Sequence, residues 1–145
     1  MPLHLIKLCV GAESIEDLEQ WIDQRIKERR KRGERQLALH VTRMAPKRGA
    51  ELLDGGSLYW VIRGQVAARQ VLKDIETFTD AEGIGRCRLW MEREVVPVLP
   101  RPYRPFQGWR YLAPKDAPPD LGKRAEGVAA MPEPMRRELR ELGLL

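Results

Sequence analysis

Histidine and cysteine are scarce in this chain. Two of each stand among 145 residues, and neither Cys9 nor Cys87 has a Cys or His at metal-ligand spacing. No metal site and no cofactor site is read from the sequence. Both cysteines fall in strand-like stretches, where a thiol acts as a small hydrophobe. No apolar run approaches the roughly 20 residues a membrane helix needs. The apolar start, Met1 to Val10, is too short for a secretory signal, and no small-residue cleavage site follows it. The expected setting is cytoplasmic, with no membrane partner. Internal repeats are absent. So is the Gly-Lys-Ser/Thr ending of a phosphate loop: Asp54-Gly-Gly-Ser57 could offer N–H groups to an anion, but it reads as a turn.

Positive charge is what the chain does have. The net charge is +5, and the excess is blocked rather than spread. Residues 24–36 hold seven Lys/Arg against two Glu, and residues 86–110 hold six Arg against two Glu. Such blocks suit RNA or another polyanion as partner, and they also suit a solvated arginine-rich surface.

Periodicity and punctuation predict an α+β fold. Leu3 to Val10 reads as a strand. Ser14 is a good N-cap for a helix running to Gly33, with Ile15, Leu18, Ile22 and Ile26 on one stripe. Its last turns, Lys27 to Arg32, carry no apolar residue and are expected to project into solvent. Gln36 to Met44 reads as a strand, with Leu37, Leu39 and Val41 on one face and Ala38, His40 and Thr42 on the other. Pro46 opens a short helix to Leu53. Ser57 to Arg63 is a strand that turns at Gly64 into a second one, Gln65 to Ile75. Gly85 to Val96 follows, with Cys87, Leu89 and Met91 on its inner face. Pro97 to Pro105, with four prolines, is expected to run extended along the surface outside regular structure. Gly108 to Leu112 is a last short strand. Residues 1–121 form one domain. Residues 122–145 supply a linker and an amphipathic helix, Pro132 to Leu142, with Met135, Leu139 and Leu142 on one side. The architecture is a compact, mainly antiparallel sheet or a small β-barrel, with the N-terminal helix packed on it.

Arg101 to Leu112 gathers three arginines and four aromatics in twelve residues without an acid. Within it, Gln107, Trp109 and Arg110 surround Gly108, which lets a flat ligand approach. Arg43, Lys47 and Arg48 surround the junction at Pro46, where an anion would meet helix N–H groups. Arg63, Arg69 and Gln70 flank the Gly64 hairpin. His40 or Asp54 would supply an acid or base if the chain is an enzyme.

Four blocks carry a family resemblance. They are Leu3-His-Leu-Ile-Lys-Leu-Cys-Val-Gly11, His40-Val-Thr-Arg-Met-Ala-Pro-Lys-Arg48, Leu52-Leu-Asp-Gly-Gly-Ser-Leu-Tyr-Trp-Val-Ile-Arg-Gly64 and Arg104-Pro-Phe-Gln-Gly-Trp-Arg-Tyr-Leu112. With them the chain resembles the small alphaproteobacterial proteins of domain-of-unknown-function family 1489. That resemblance implies a bacterial cytoplasmic setting and one domain, and it carries over no activity. The hairpin from Trp60 to Arg69 is similar in outline to the β-barrels of the pseudouridine synthase and archaeosine transglycosylase (PUA-like) class, which commonly bind RNA or modified bases. Gly64 and Arg69 are shared with a Gly-x-Lys-x-x-Glu-x-Arg pattern of one branch, whose Lys and Glu this chain lacks.

Three functions stay open. In the first, an RNA-binding module, Arg43, Lys47, Arg48, Arg63 and Arg69 meet phosphates, and Trp109 with Arg110 meets a base or sugar. In the second, an enzyme acts on a phosphorylated or nucleotide-like small molecule. In the third, the chain is a protein–protein interaction module that docks through its proline-rich segment or C-terminal helix.

Overall fold

The structure, a computed structural model, describes residues 2–121. The helix expected over Pro132 to Leu142 lies outside them. Ten elements follow in order: β1 (His4–Leu8), α1 (Ile15–Lys31), β2 (Ala38–Thr42), α2 (Gly49–Leu53), β3 (Ser57–Ile62), β4 (Gln65–Thr79), β5 (Gly85–Met91), β6 (Val96–Pro102), β7 (Trp109–Leu112) and a 3₁₀ turn, Pro114–Asp116. The strands make one mixed seven-stranded sheet along the path β2-β5-β4-β3-β1-β7, with β6 also on β4. Only β1 and β3 pair in parallel, as a connection through α1, β2 and α2 allows. The α+β expectation therefore holds.

The fifteen-residue β4 organises the sheet. Gln65 to Val71 pair with β3, and part of that stretch also pairs with β6. Leu72 to Thr79 pair with β5, past an irregularity between Leu72 and Asp74. The β3–β4 loop is two residues long, with Arg63 and Gly64 both at positive φ, 52° and 77°. This twist matches that of the flanking strands. Every residue of β3 is buried, because both of its faces are covered. Leu58, Trp60 and Ile62 face the main core with Leu5, Leu18, Ile22, Ile26, Leu72, Leu89 and Met91. Tyr59 and Val61 face a smaller core with Ile6, Val66, Val98, Phe106 and Leu112.

The α1 helix starts as its sequence asks: the Ser14 hydroxyl accepts from the Asp17 N–H at 3.1 Å. Its far end differs from the expectation. Arg29 continues the Leu18–Ile22–Ile26 stripe and is only 5% exposed. Its guanidinium donates to the carbonyl oxygens of Arg35, at 3.2 Å, and Leu37. The long stem packs as a hydrophobe while the head satisfies backbone that would otherwise be orphaned.

Two further features depart from the sequence pattern. In β2, Ala38 and Thr42 are buried and His40 is half-buried against Trp60, whereas Val41 is 41% exposed. The strand is turned over relative to its hydrophobic alternation. The residues from Val96 to Pro102 are strand β6, not an irregular run. The prolines are tolerated because β6 is peripheral: among the described residues, its second side pairs with the chain near Pro119–Leu121 and with no further strand.

Gly56 fills a position where a side chain has no room. A Cβ there would collide with the backbone oxygens of Leu3 and Leu52. That close approach seats the end of α2 against the start of β1. Among the described residues, no helix is long and apolar enough to cross a membrane.

Candidate functional site

The two ends of the strand path, β2 and β7, come back toward each other. The chain after β2 is latched onto β7 by side chains from Gly108-Trp109-Arg110-Tyr111. The Trp109 indole Nε1–H donates to the Met44 carbonyl at 2.7 Å. The Tyr111 hydroxyl accepts from the backbone N–H groups of Lys47, at 2.9 Å, and Arg48, at 3.2 Å. The two rings lie edge to face, 5.0 Å apart. Residues 109 and 111 share a face of β7, so one short strand supplies both halves of the latch.

Beside the latch is a cleft of about 420 Å³. Val41, Thr42, Arg43 and Met44 form one wall, and Gln107, Gly108 and Trp109 form the other. Lys7 lies between them on β1, in register with Trp60 on one neighbour and Trp109 on the other. Gly108 has φ of 69°, a conformation that a side chain strains, and it lets the chain turn into β7. No carboxylate lines this cleft. Among the described residues, Lys7, Arg43 and Lys47 have no ion-pair partner.

His40 sits close by. Its ring meets Trp60 edge-on at 5.3 Å. Burial, and then the Lys7 ammonium, hold its pKa down to about 4, so the imidazole is neutral near pH 7. Its Nε2 is enclosed and has no hydrogen-bond partner. Buried polar atoms without a partner are uncommon.

The other predicted residues separate from this cleft. Arg48 makes a two-point ion pair with Glu51, at 3.1 and 2.5 Å, and lies over the Tyr111 ring. Arg63 pairs with Glu13 at 3.0 Å, at the β3–β4 loop. Arg69 is held by both oxygens of Asp120, at 2.7 Å each, and by the Ser57 hydroxyl at 2.9 Å. Its guanidinium pins the segment near Asp120 to the sheet. Gln70 is fully buried: it accepts from Trp60 Nε1 and donates to the Glu92 carbonyl, both at 2.9 Å. Gln70 is thus a core residue. Arg110 points to the opposite face of β7, over the Phe106 ring. Asp54 closes α2 next to Gly55, which abuts Pro2 ahead of the start of β1, whereas Lys7 lies near that strand's end. Asp54 and His40 therefore do not converge.

Sequence reasoning missed Lys7. Its one signal was a lone cation in the apolar run Leu-Ile-Lys-Leu-Cys-Val, at a position that alternation assigns to the core face. Cys9 does not add reactivity: burial pushes its thiol up to about 11, beyond the range where a thiolate forms near neutrality.

Fold and cleft together define an α+β protein with a cationic, aromatic-walled seam between the ends of one sheet. A model of the family described as "Protein of unknown function (DUF1489)" matches residues 5–145, and the chain belongs to that family. No curated protein and no solved structure matches the chain.

Proposed function

We propose that this protein is an RNA-binding module that uses the seam between β2 and β7. One observation carries the reading: Lys7 and Arg43, cations with no ion-pair partner among the described residues, line with Gln107 and Trp109 a cleft without an acid, and Lys47 stands at the adjoining Tyr111 latch. Cations free of carboxylate partners attract phosphates at no cost in broken ion pairs. A half-buried indole at the cleft wall and a side-chain amide suit the bases of an unpaired strand. The set is narrower than sequence suggested, since Arg48, Arg63 and Arg69 are already paired and Gln70 is buried. The PUA-like likeness of the β3–β4 hairpin and the cytoplasmic setting implied by the family belong to the same proposal.

The test is a titration of labelled single-stranded RNA, single-stranded DNA and duplex DNA over a salt series. Affinity should fall steeply with salt. Each cation removed from the set should reduce the slope of log K against log salt by roughly 0.7 on a single strand. Charge reversal at Arg43 and Lys47 should weaken binding and flatten that slope. Wild-type affinity in that variant would show that the seam is not the binding surface.

A further inference from the structure

Resting on the RNA-binding reading, we infer that the cleft is a terminal site: it takes the last nucleotide of a strand together with the phosphate that nucleotide carries. Size is the first argument. About 420 Å³ lies in the range of small-molecule pockets and is far short of a groove that tracks several nucleotides.

Closure is the second argument. On the Tyr111 side the seam is bridged by three hydrogen bonds: Trp109 donates to the Met44 carbonyl, and Lys47 and Arg48 donate to the Tyr111 hydroxyl. A strand entering beside Gly108 therefore meets a barrier instead of a continuing channel.

Chemistry is the third argument. Lys7 sits at the cleft between the two walls, half-buried and without a carboxylate partner among the described residues. A cation in that position is poorly matched unless an anion joins it. Arg43 stands on the neighbouring wall, so two cations converge where a phosphate would lie. Trp109 and Gln107 on the opposite wall face the base and its edge. Whether the phosphate belongs to a 5′ or a 3′ end is a difference of source, since both present the same dianion.

The experiment uses the full chain and three RNA oligonucleotides of one sequence, carrying a 5′-phosphate, a 3′-phosphate or neither. Nucleoside monophosphates and inorganic phosphate are titrated in parallel. One phosphorylated end should bind at least about tenfold tighter than the unphosphorylated strand, as an added charge-assisted contact implies. The matching monophosphates should compete with it better than inorganic phosphate does. Lys7→Met should abolish the end preference, and Arg43→Gln, at an exposed position, should reduce it without a folding penalty. Equal affinity for all three strands would overturn the terminal site while leaving RNA binding intact. Inorganic phosphate competing as well as the nucleotides would also overturn it, because the cleft would then recognise an anion alone. Failure to bind any strand would overturn the RNA reading itself.

Discussion

Trp109 donates its indole N–H to the Met44 carbonyl across a seam that joins residues 65 positions apart in sequence. The contact sets the width of the cleft, because Met44 and Trp109 stand on opposite walls. Replacing Trp109 by Phe keeps a ring but removes the donor. Thermal unfolding should register a loss of about 1 kcal/mol, the usual worth of one such bond. Amide exchange should quicken at Lys47 and Arg48, whose N–H groups are held by the neighbouring Tyr111.

Lys7→Met should leave stability unchanged or raise it, since an unpaired, half-buried charge becomes an apolar chain of similar length. The His40 pKa should move up from about 4, although burial, the larger cause, still holds it below the ordinary value. An NMR titration of the His40 ring reads this directly. An unchanged pKa would place Lys7 away from the imidazole.

The pH dependence of folding follows from His40. Its folded pKa is depressed, so between pH 6.5 and about 4 the unfolded chain binds the extra proton. Stability then rises with pH over that window and falls on acidification by roughly 3 kcal/mol in total. His4, also lowered mainly by burial, adds a term of the same sign. Urea titrations at pH 7, 5.5 and 4.5 on wild type and His40→Gln should show a shallower acid decline in the variant.

Gln70→Leu should cost about 2–4 kcal/mol, because it strands the Trp60 N–H and the Glu92 carbonyl in the core. RNA affinity, measured on the folded fraction, should not change. A selective loss of binding would return Gln70 to the site.

Gly56→Ala should destabilise by about 3 kcal/mol or more, since a methyl group there meets two backbone oxygens and no flexible side chain can yield. Denaturant midpoints of the purified variant test it.

Legibility in the sequence followed physical scale. The Ser14 cap, the α1 stripe, the Gly64 hairpin and the inner face of β5 depend on near neighbours, and all are present. The phase of β2 could not be read that way. Ala38, His40 and Thr42 turn inward because Trp60 and β5 receive them, and that is decided by partners far along the chain. The four prolines of 97–105 argue against a central strand but not against a peripheral one such as β6. For the site, Arg43, Lys47, Gln107 and Trp109 were visible as two cations, an amide and an aromatic near punctuation residues. Which arginines were already neutralised was not visible: Glu13 and Asp120 lie about fifty positions from Arg63 and Arg69.

The place of β1 between β3 and β7 bears on how the chain is made. His4 to Lys7 are synthesised well before Trp109 to Leu112, the partner of one side of this strand. Until then β1 presents an open row of N–H and C=O groups on a strand of mostly apolar residues. The nascent chain must therefore carry an adhesive edge from β1 until β7 has emerged, and a ribosome stalled before Trp109 would release a species prone to pairing with its own kind.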